Sequence, residues 1–155
     1  MPQSAPLFER AVSAPPVPSG LPLVIALTGF TDAGSAVSGL VDYVRDELDP
    51  TPVAIFTNDV LLDYRARRPA MSFVRDHYES YDAPRLVVRV LRDTGGTPYL
   101  LLHGPEPDTR WEAFCEAVRE VVERFGVTRV VGMGAVPMAV PHTRPVPILG
   151  TEAQP

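Results

Sequence analysis

The chain has 155 residues, 45% of them hydrophobic, a formal net charge of −5 and one cysteine, which is enough for one domain with its own core. The negative balance argues against a nucleic-acid groove, which needs clustered cations. All 14 basic residues are arginine, and the lack of lysine excludes Schiff-base chemistry, lysine-bound pyridoxal phosphate and a lysine-dependent P-loop.

A single cysteine forms no internal disulfide and fits a reducing compartment. No run of about 18 apolar residues is present to span a membrane. Residues 1–20 lack the basic leader and apolar core of a signal peptide, so a cytoplasmic protein is expected.

Pro2, Pro6, Pro15, Pro16 and Pro18 make residues 1–20 a flexible, proline-rich leader by expectation, with Leu7-Phe8 as a candidate hydrophobic anchor. Residues 21–150 are read as a single α/β domain. Its first buried strand covers 23–27. The turn Thr28-Gly29-Phe30-Thr31-Asp32-Ala33-Gly34 follows, and then a helix to about Leu48. Ala33, Ala36, Val37, Leu40, Val41, Val44 and Leu48 fall on one stripe of that helix. A glycine turn ahead of a helix N-terminus offers free amides to an anion. Gly29 and Gly34 have P-loop spacing, yet Ser35 and Ala36 stand where that motif needs Lys and Ser or Thr. Asp32 supplies the competing reading, a cap that brings the negative charge from inside the chain.

A second strand covers 52–57, and 58–62 either continues it or opens a short helix. Residues 63–69 (DYRARRP) hold the densest basic cluster. This is either a solvated loop or a clamp in which Arg65 and Arg68 grip an anion. Residues 71–74 and 78–81 predict a small hairpin. A strand over 86–92 turns at Asp93-Thr94-Gly95-Gly96 into an antiparallel strand over 99–102, so the sheet is mixed. Gly104-Pro105-Glu106-Pro107 ends that strand, and Thr109-x-x-Glu112 has the form of a capping box. Trp111, Phe114, Cys115, Val118, Val122 and Phe125 make one helical stripe, which predicts a buried Cys115. Gly126 suits a left-handed C′ position. The return strand over 127–131 crosses over right-handed and is therefore parallel. Pro141, Pro145 and Pro147 forbid a helix near the end, where a brief strand over 146–149 is expected.

Four stretches together carry a resemblance: the turn GFTDAG, DYRARRP, LLLHGPEPDTRWEAF and GMGAVPMAVPHTRP. Over roughly residues 21–146 the chain resembles the proteasome-assembly-chaperone type-two family, in an actinobacterial-looking branch that the all-arginine, proline-rich composition suits. The resemblance implies a phosphorylase/hydrolase-like α/β fold, a three-layer sandwich with a mixed, mostly parallel sheet. It also implies a chain covering the N-terminal half of a longer family domain, incomplete at the C-terminus. Eukaryotic and archaeal relatives assist proteasome assembly, and those that grip the ring use a C-terminal hydrophobic–Tyr–any tail. This sequence ends Ala153-Gln154-Pro155, so that mode is not expected to carry over.

In open α/β sheets, ligands sit beyond the carboxyl ends of the strands. Three glycine-marked turns, over 28–34, 103–107 and 132–136, are expected at one such edge. The candidate ligand-binding residues are Gly29, Asp32, Gly34, Arg65, Arg68, His103, Glu106, His142 and Arg144. His142 and Arg144, stiffened by prolines, form a candidate site for a small anion. The two histidines and Glu106 match no metal-ligand spacing, and no serine sits in a G-x-S-x-G elbow. No cofactor, metal or catalytic residue is therefore assigned. Two functions stand. One is a non-catalytic interaction or assembly-chaperone-like module that binds a protein partner or itself. The other is a nucleoside- or anion-binding protein or enzyme of nucleoside-phosphorylase-like ancestry.

Overall fold

The structure, a computed structural model, describes residues 6–48 and 50–152. The start of the expected leader (1–5) and the Ala153-Gln154-Pro155 terminus lie outside the described residues. In chain order the elements are β1 (Phe8–Arg10), β2 (Pro22–Thr28), α1 (Ala36–Glu47), β3 (Thr51–Phe56), β4 (Met71–Val74), β5 (His77–Tyr81), β6 (Val87–Arg92), β7 (Pro98–Pro105), α2 (Trp111–Phe125) and β8 (Arg129–Met133). Six strands form one sheet in the order β1-β3-β6-β7-β2-β8, and β4 with β5 makes a separate hairpin.

The sheet is mixed, as expected, but it is not mostly parallel. β2 pairs in parallel with β7 and β8, whereas β1–β3, β3–β6 and β6–β7 are antiparallel. The short Asp93–Gly96 turn imposes the β6–β7 antiparallel pair, since only a helix-length crossover returns a strand in parallel. The α2 crossover does that for β7 and β8.

Each face of the sheet carries one helix, which makes three layers. Val37 and Val44 of α1 pack on Ala26, Leu91 and Leu101. On the other face Phe114, Ala117 and Val121 of α2 pack on Leu23, Val88, Leu100 and Leu102. Strand alternation explains the division, because Leu101 and Leu102 are neighbours in β7 and point to opposite faces.

Two expectations for α2 need correction. Cys115 is exposed, and the buried stripe runs through Phe114, Ala117 and Val121 instead. Six apolar positions on a 15-residue helix subtend more than the sheet covers, so one flank of the stripe faces water. Thr109 does not cap the helix: Arg110 takes the N-cap position in a left-handed conformation, with no side-chain capping bond. The Thr109 hydroxyl instead donates to the carbonyl of Val60 at 3.2 Å. Gly126 does close the helix, at φ +58°, with its amide and that of Val127 returning to the carbonyls of Glu123 and Val122.

The proline-rich leader is docked from Phe8 onward. β1 pairs with β3, and the Phe8 ring lies 5.6 Å from that of Phe56, which in turn lies 5.5 Å from Phe114. Burial of one large ring is enough to order a short strand that composition alone reads as mobile. Residues 146–149 form no strand. At the opposite sheet edge every residue of β8 is exposed, and Val136, Met138, Val146, Ile148 and Leu149 beyond it are also exposed. Among the described residues no helix is long and apolar enough to cross a membrane.

Candidate functional site

The three expected turns do meet at the carboxyl ends of β7, β2 and β8. The Glu106 amide donates to the Thr28 carbonyl at 2.9 Å, joining the end of β7 to the end of β2. On the other side the Ala135 amide donates to Thr31 at 2.6 Å, and the Ala33 amide donates to Ala135 at 2.9 Å. Parallel strands that end level leave successive turns side by side, and these bonds fasten the 28–35 turn from both flanks.

Asp32 serves α1. Its carboxylate accepts from the amides of Val37 at 2.7 Å and Ser38 at 3.3 Å, the second and third residues of the helix. Burial pulls this carboxyl upward, but the Ser38 side chain and the Val37 and Ser38 amides outweigh it and hold its pKa below the usual value. The anion that the helix N-terminus favours is thus already present. Gly34 at φ +66° and Ser35 at +56° form the tight entry to α1, bringing the Asp32 carboxylate back over the amides.

Glu106 serves the same turn. One of its oxygens accepts from the Phe30 amide at 2.9 Å. Gly29 leaves the room for this, since a Cβ there would run into the Glu106 carboxyl. Arg67 lies 3.7 Å from Glu106 and 3.0 Å from Asp108, whose other oxygen accepts from the Asp63 amide at 2.9 Å. Arg67, rather than the named Arg65 and Arg68, is therefore the arginine of DYRARRP that enters the cluster. The amides of Ala66 and Arg67 both return to the Asp63 carbonyl at 3.0 Å, so the segment makes a helical turn. Residues 63 and 67 then share one side, and 65 and 68 do not. Spacing by one helical turn from Asp63 was the available signal, and neither Arg67 nor Asp108 was singled out by composition. Arg65 and Arg68 are exposed.

His103 is not at this edge. It lies within β7, which runs on to Pro105, and pairs with Ala26 and Val87 on the face covered by α1. Its Nε2 accepts from Arg89 Nε at 2.9 Å, and Arg89 also donates to the Pro50 carbonyl at 3.0 Å. Burial first, and then the Arg89 and Arg45 cations, lower its pKa to about 4, so the ring is neutral and structural. His142 and Arg144 are exposed on the final loop. Among the described residues their side chains join no hydrogen bond or ion pair with the other candidates.

What opens between α1 and the final loop is a cleft of about 660 Å³, walled by Ala33, Gly34, Val136, Met138, Ile148 and Leu149. Its lining is mostly aliphatic. Among the described residues no group of three or more His, Cys, Asp and Glu is placed to hold a metal. The hairpin of β4 and β5 projects with both faces exposed, its Phe73 and Tyr78 rings packed edge to face at 5.1 Å.

The sequence model of the PAC2 family matches residues 26–155. Several solved structures are similar, among them these three. A protein of unknown function from Corynebacterium glutamicum is 42% identical, with a TM-score of 0.85 over 90% of this chain and 53% of that one. A Mycobacterium tuberculosis protein of unknown function is 48% identical, with a TM-score of 0.84 over 93% of this chain and 52% of that one. A M. tuberculosis proteasome-assembly chaperone homologue is 30% identical, with a TM-score of 0.74 over 82% of this chain and 54% of that one. The chain thus spans about half the length of the structures it matches. No curated protein matches it.

Proposed function

Because the chain belongs to the PAC2 family, we propose that it is a non-catalytic, assembly-chaperone-like interaction module of the cytoplasm. Its partner is a protein or a second copy of itself, held at the carboxyl edge of the parallel strands. The observation that carries this reading is how the polar residues there are used. Asp32 holds helix amides, Glu106 holds the Phe30 amide and Arg67 faces Glu106 and Asp108. What remains facing outward is the aliphatic cleft, with Val136 and Met138 in its wall, together with the exposed Phe30 ring. A surface of that kind loses free energy by being covered, whereas bond-breaking chemistry needs a free acid or base within reach of a substrate. The exposed aromatic hairpin offers self-association a second apolar surface.

The cleft's position also supports a second reading, that of a site for a small ligand such as a nucleoside or an anion. In that reading Gly34 lines the wall, Gly29, Asp32 and Glu106 shape the turn that leads into it, and Arg65, Arg68, His142 and Arg144 attract the charge.

Separation of the two readings needs paired assays. Binding to proteasome subunits and self-association are each measured by sedimentation for the wild type and for Val136→Glu and Met138→Glu. Loss of association in both variants, with unchanged unfolding midpoints, is the expected result. Nucleoside turnover with phosphate is measured for the wild type and Arg144→Ala. Turnover that falls about a hundredfold in the variant, about 2.7 kcal/mol of transition-state stabilisation, would overturn the non-catalytic reading.

A further inference from the structure

Phe30 is 78% exposed, so its side chain gives the turn that bears it no packing hold. The flanking residues are fixed elsewhere, Thr28 through the Glu106 amide and Thr31 through the Ala135 amide. Between them, the one bond among the described residues that holds the Gly29-Phe30 backbone is from the Phe30 amide to Glu106 Oε1 at 2.9 Å. The aim of the Glu106 carboxylate therefore decides where this turn lies.

We infer that Arg67 is a positioning residue for the turn at residues 28–31, which leads into the cleft wall at Ala33 and Gly34, and that it acts through Glu106. Glu106 hangs from the end of β7 on a flexible stem, and three rotatable bonds must be frozen for its oxygen to meet the Phe30 amide. The guanidinium of Arg67, anchored 3.0 Å from Asp108, supplies a directional charge 3.7 Å from that same oxygen. Asp108 is held in turn by the Asp63 amide, and the Asp108 and Thr109 amides donate to the Leu61 carbonyl at 2.9 and 3.2 Å. The side chains of Arg67, Glu106 and Asp108 are 35%, 22% and 18% exposed, so solvent screens this network less than an ordinary surface pair. Three segments remote in sequence, 28–31, 61–67 and 106–109, thereby become one unit. The missing side chain at Gly29 is part of the device, because any larger residue would expel the carboxylate from the position in which Arg67 sets it.

The inference takes the cleft of the preceding section as its setting but does not depend on what occupies it, and its readout needs no partner. Residue-resolved amide exchange is compared in the full chain for the wild type, Arg67→Met, Arg67→Lys, Glu106→Ala and the Arg67→Met, Glu106→Ala double variant. The Phe30 amide is expected to exchange at least about tenfold faster in Arg67→Met, a change of about 1.4 kcal/mol in its opening. Arg67→Lys is expected to restore part of the protection, since the charge is kept and the fork is lost. The amides of Leu100 and Leu102 in β7 are expected to keep their wild-type rates. In the Glu106→Ala background, Arg67→Met should add nothing. Unchanged Phe30 protection in Arg67→Met would overturn the inference. So would an equal acceleration of the β7 amides, which is general destabilisation, or an undiminished Arg67→Met effect without Glu106.

Discussion

Acidification is expected to weaken this protein through His103, a residue that first reads as a site candidate. The ring lies against β6 and α1 with Nε2 accepting from Arg89 at 2.9 Å, so only the neutral form fits. Its pKa in the folded chain is lowered to about 4, by burial and then by Arg89 and Arg45. The unfolded chain therefore binds more protons than the folded one between the ordinary histidine value and 4. The sign follows: stability from this group is complete above about pH 6.5 and is lost as pH falls toward 4. At pH 4.5 the loss integrates to about 2.5 kcal/mol, and screening of the partly solvated ring reduces that to about 1–2 kcal/mol. Carboxylates titrate in the same range, so the wild type is compared with His103→Gln, whose amide oxygen can still accept from Arg89. Urea unfolding at pH 7.5 and 4.5 should show the wild type losing about 1–2 kcal/mol more than the variant. Equal losses, or a directly titrated His103 with an ordinary pKa, would refute the argument.

Cys115 should react with a thiol reagent quickly and stoichiometrically without denaturant, and Cys115→Ser should change stability by less than about 0.5 kcal/mol; slow labelling would restore the buried assignment. Phe114→Ala, which removes one end of the Phe8–Phe56–Phe114 stack, should cost about 3–5 kcal/mol in urea unfolding. Strand β8 presents Val130, Val131 and Met133 to solvent beside an unpaired edge, so the isolated chain should self-associate with rising concentration and Val131→Lys should reduce this. A concentration-independent monomer in sedimentation would remove that prediction.

The fold was legible wherever one local rule acted alone. The Asp93–Gly96 turn makes β6 and β7 an antiparallel pair, and the α2 crossover makes β7 and β8 parallel, each paired with the β2 strand between them. Gly126 ends α2 because a helix needs a left-handed residue there and glycine adopts it freely. Legibility failed where tertiary contact decides. The stripe on α2 contained Phe114, but which flank turned inward depended on the sheet beneath, and Cys115 fell on the wet side. Thr109 and Glu112 have capping-box spacing, yet the preceding loop is tied to Leu61, which places the Thr109 hydroxyl over residues 60 and 61 instead. The partial parallel character of the sheet was visible in the crossover. The antiparallel β1–β3 pair was not, because a three-residue strand carries no periodicity.

The candidate site shows a more general difficulty. Turns rich in glycine and acid beside a helix N-terminus look the same in a sequence whether they receive an external anion or supply their own. At Asp32 a carboxylate accepting from the Val37 amide at 2.7 Å lies in the direction from which a phosphate would approach. Glu106 repeats the pattern at Phe30, with Arg67 nearby as its counter-charge. A polar residue given to its own backbone stabilises a surface, and one left free can act on a substrate. Here the acids are given to the backbone and the exposed side chains around the cleft are apolar. Neutralisation of Asp32 should therefore be read first as loss of its hold on the α1 amides. Asp32→Asn keeps an acceptor and should lower the unfolding midpoint less than Asp32→Ala does. If Asp32→Ala left stability unchanged while altering the binding of any anion, the carboxylate would belong to a ligand site after all.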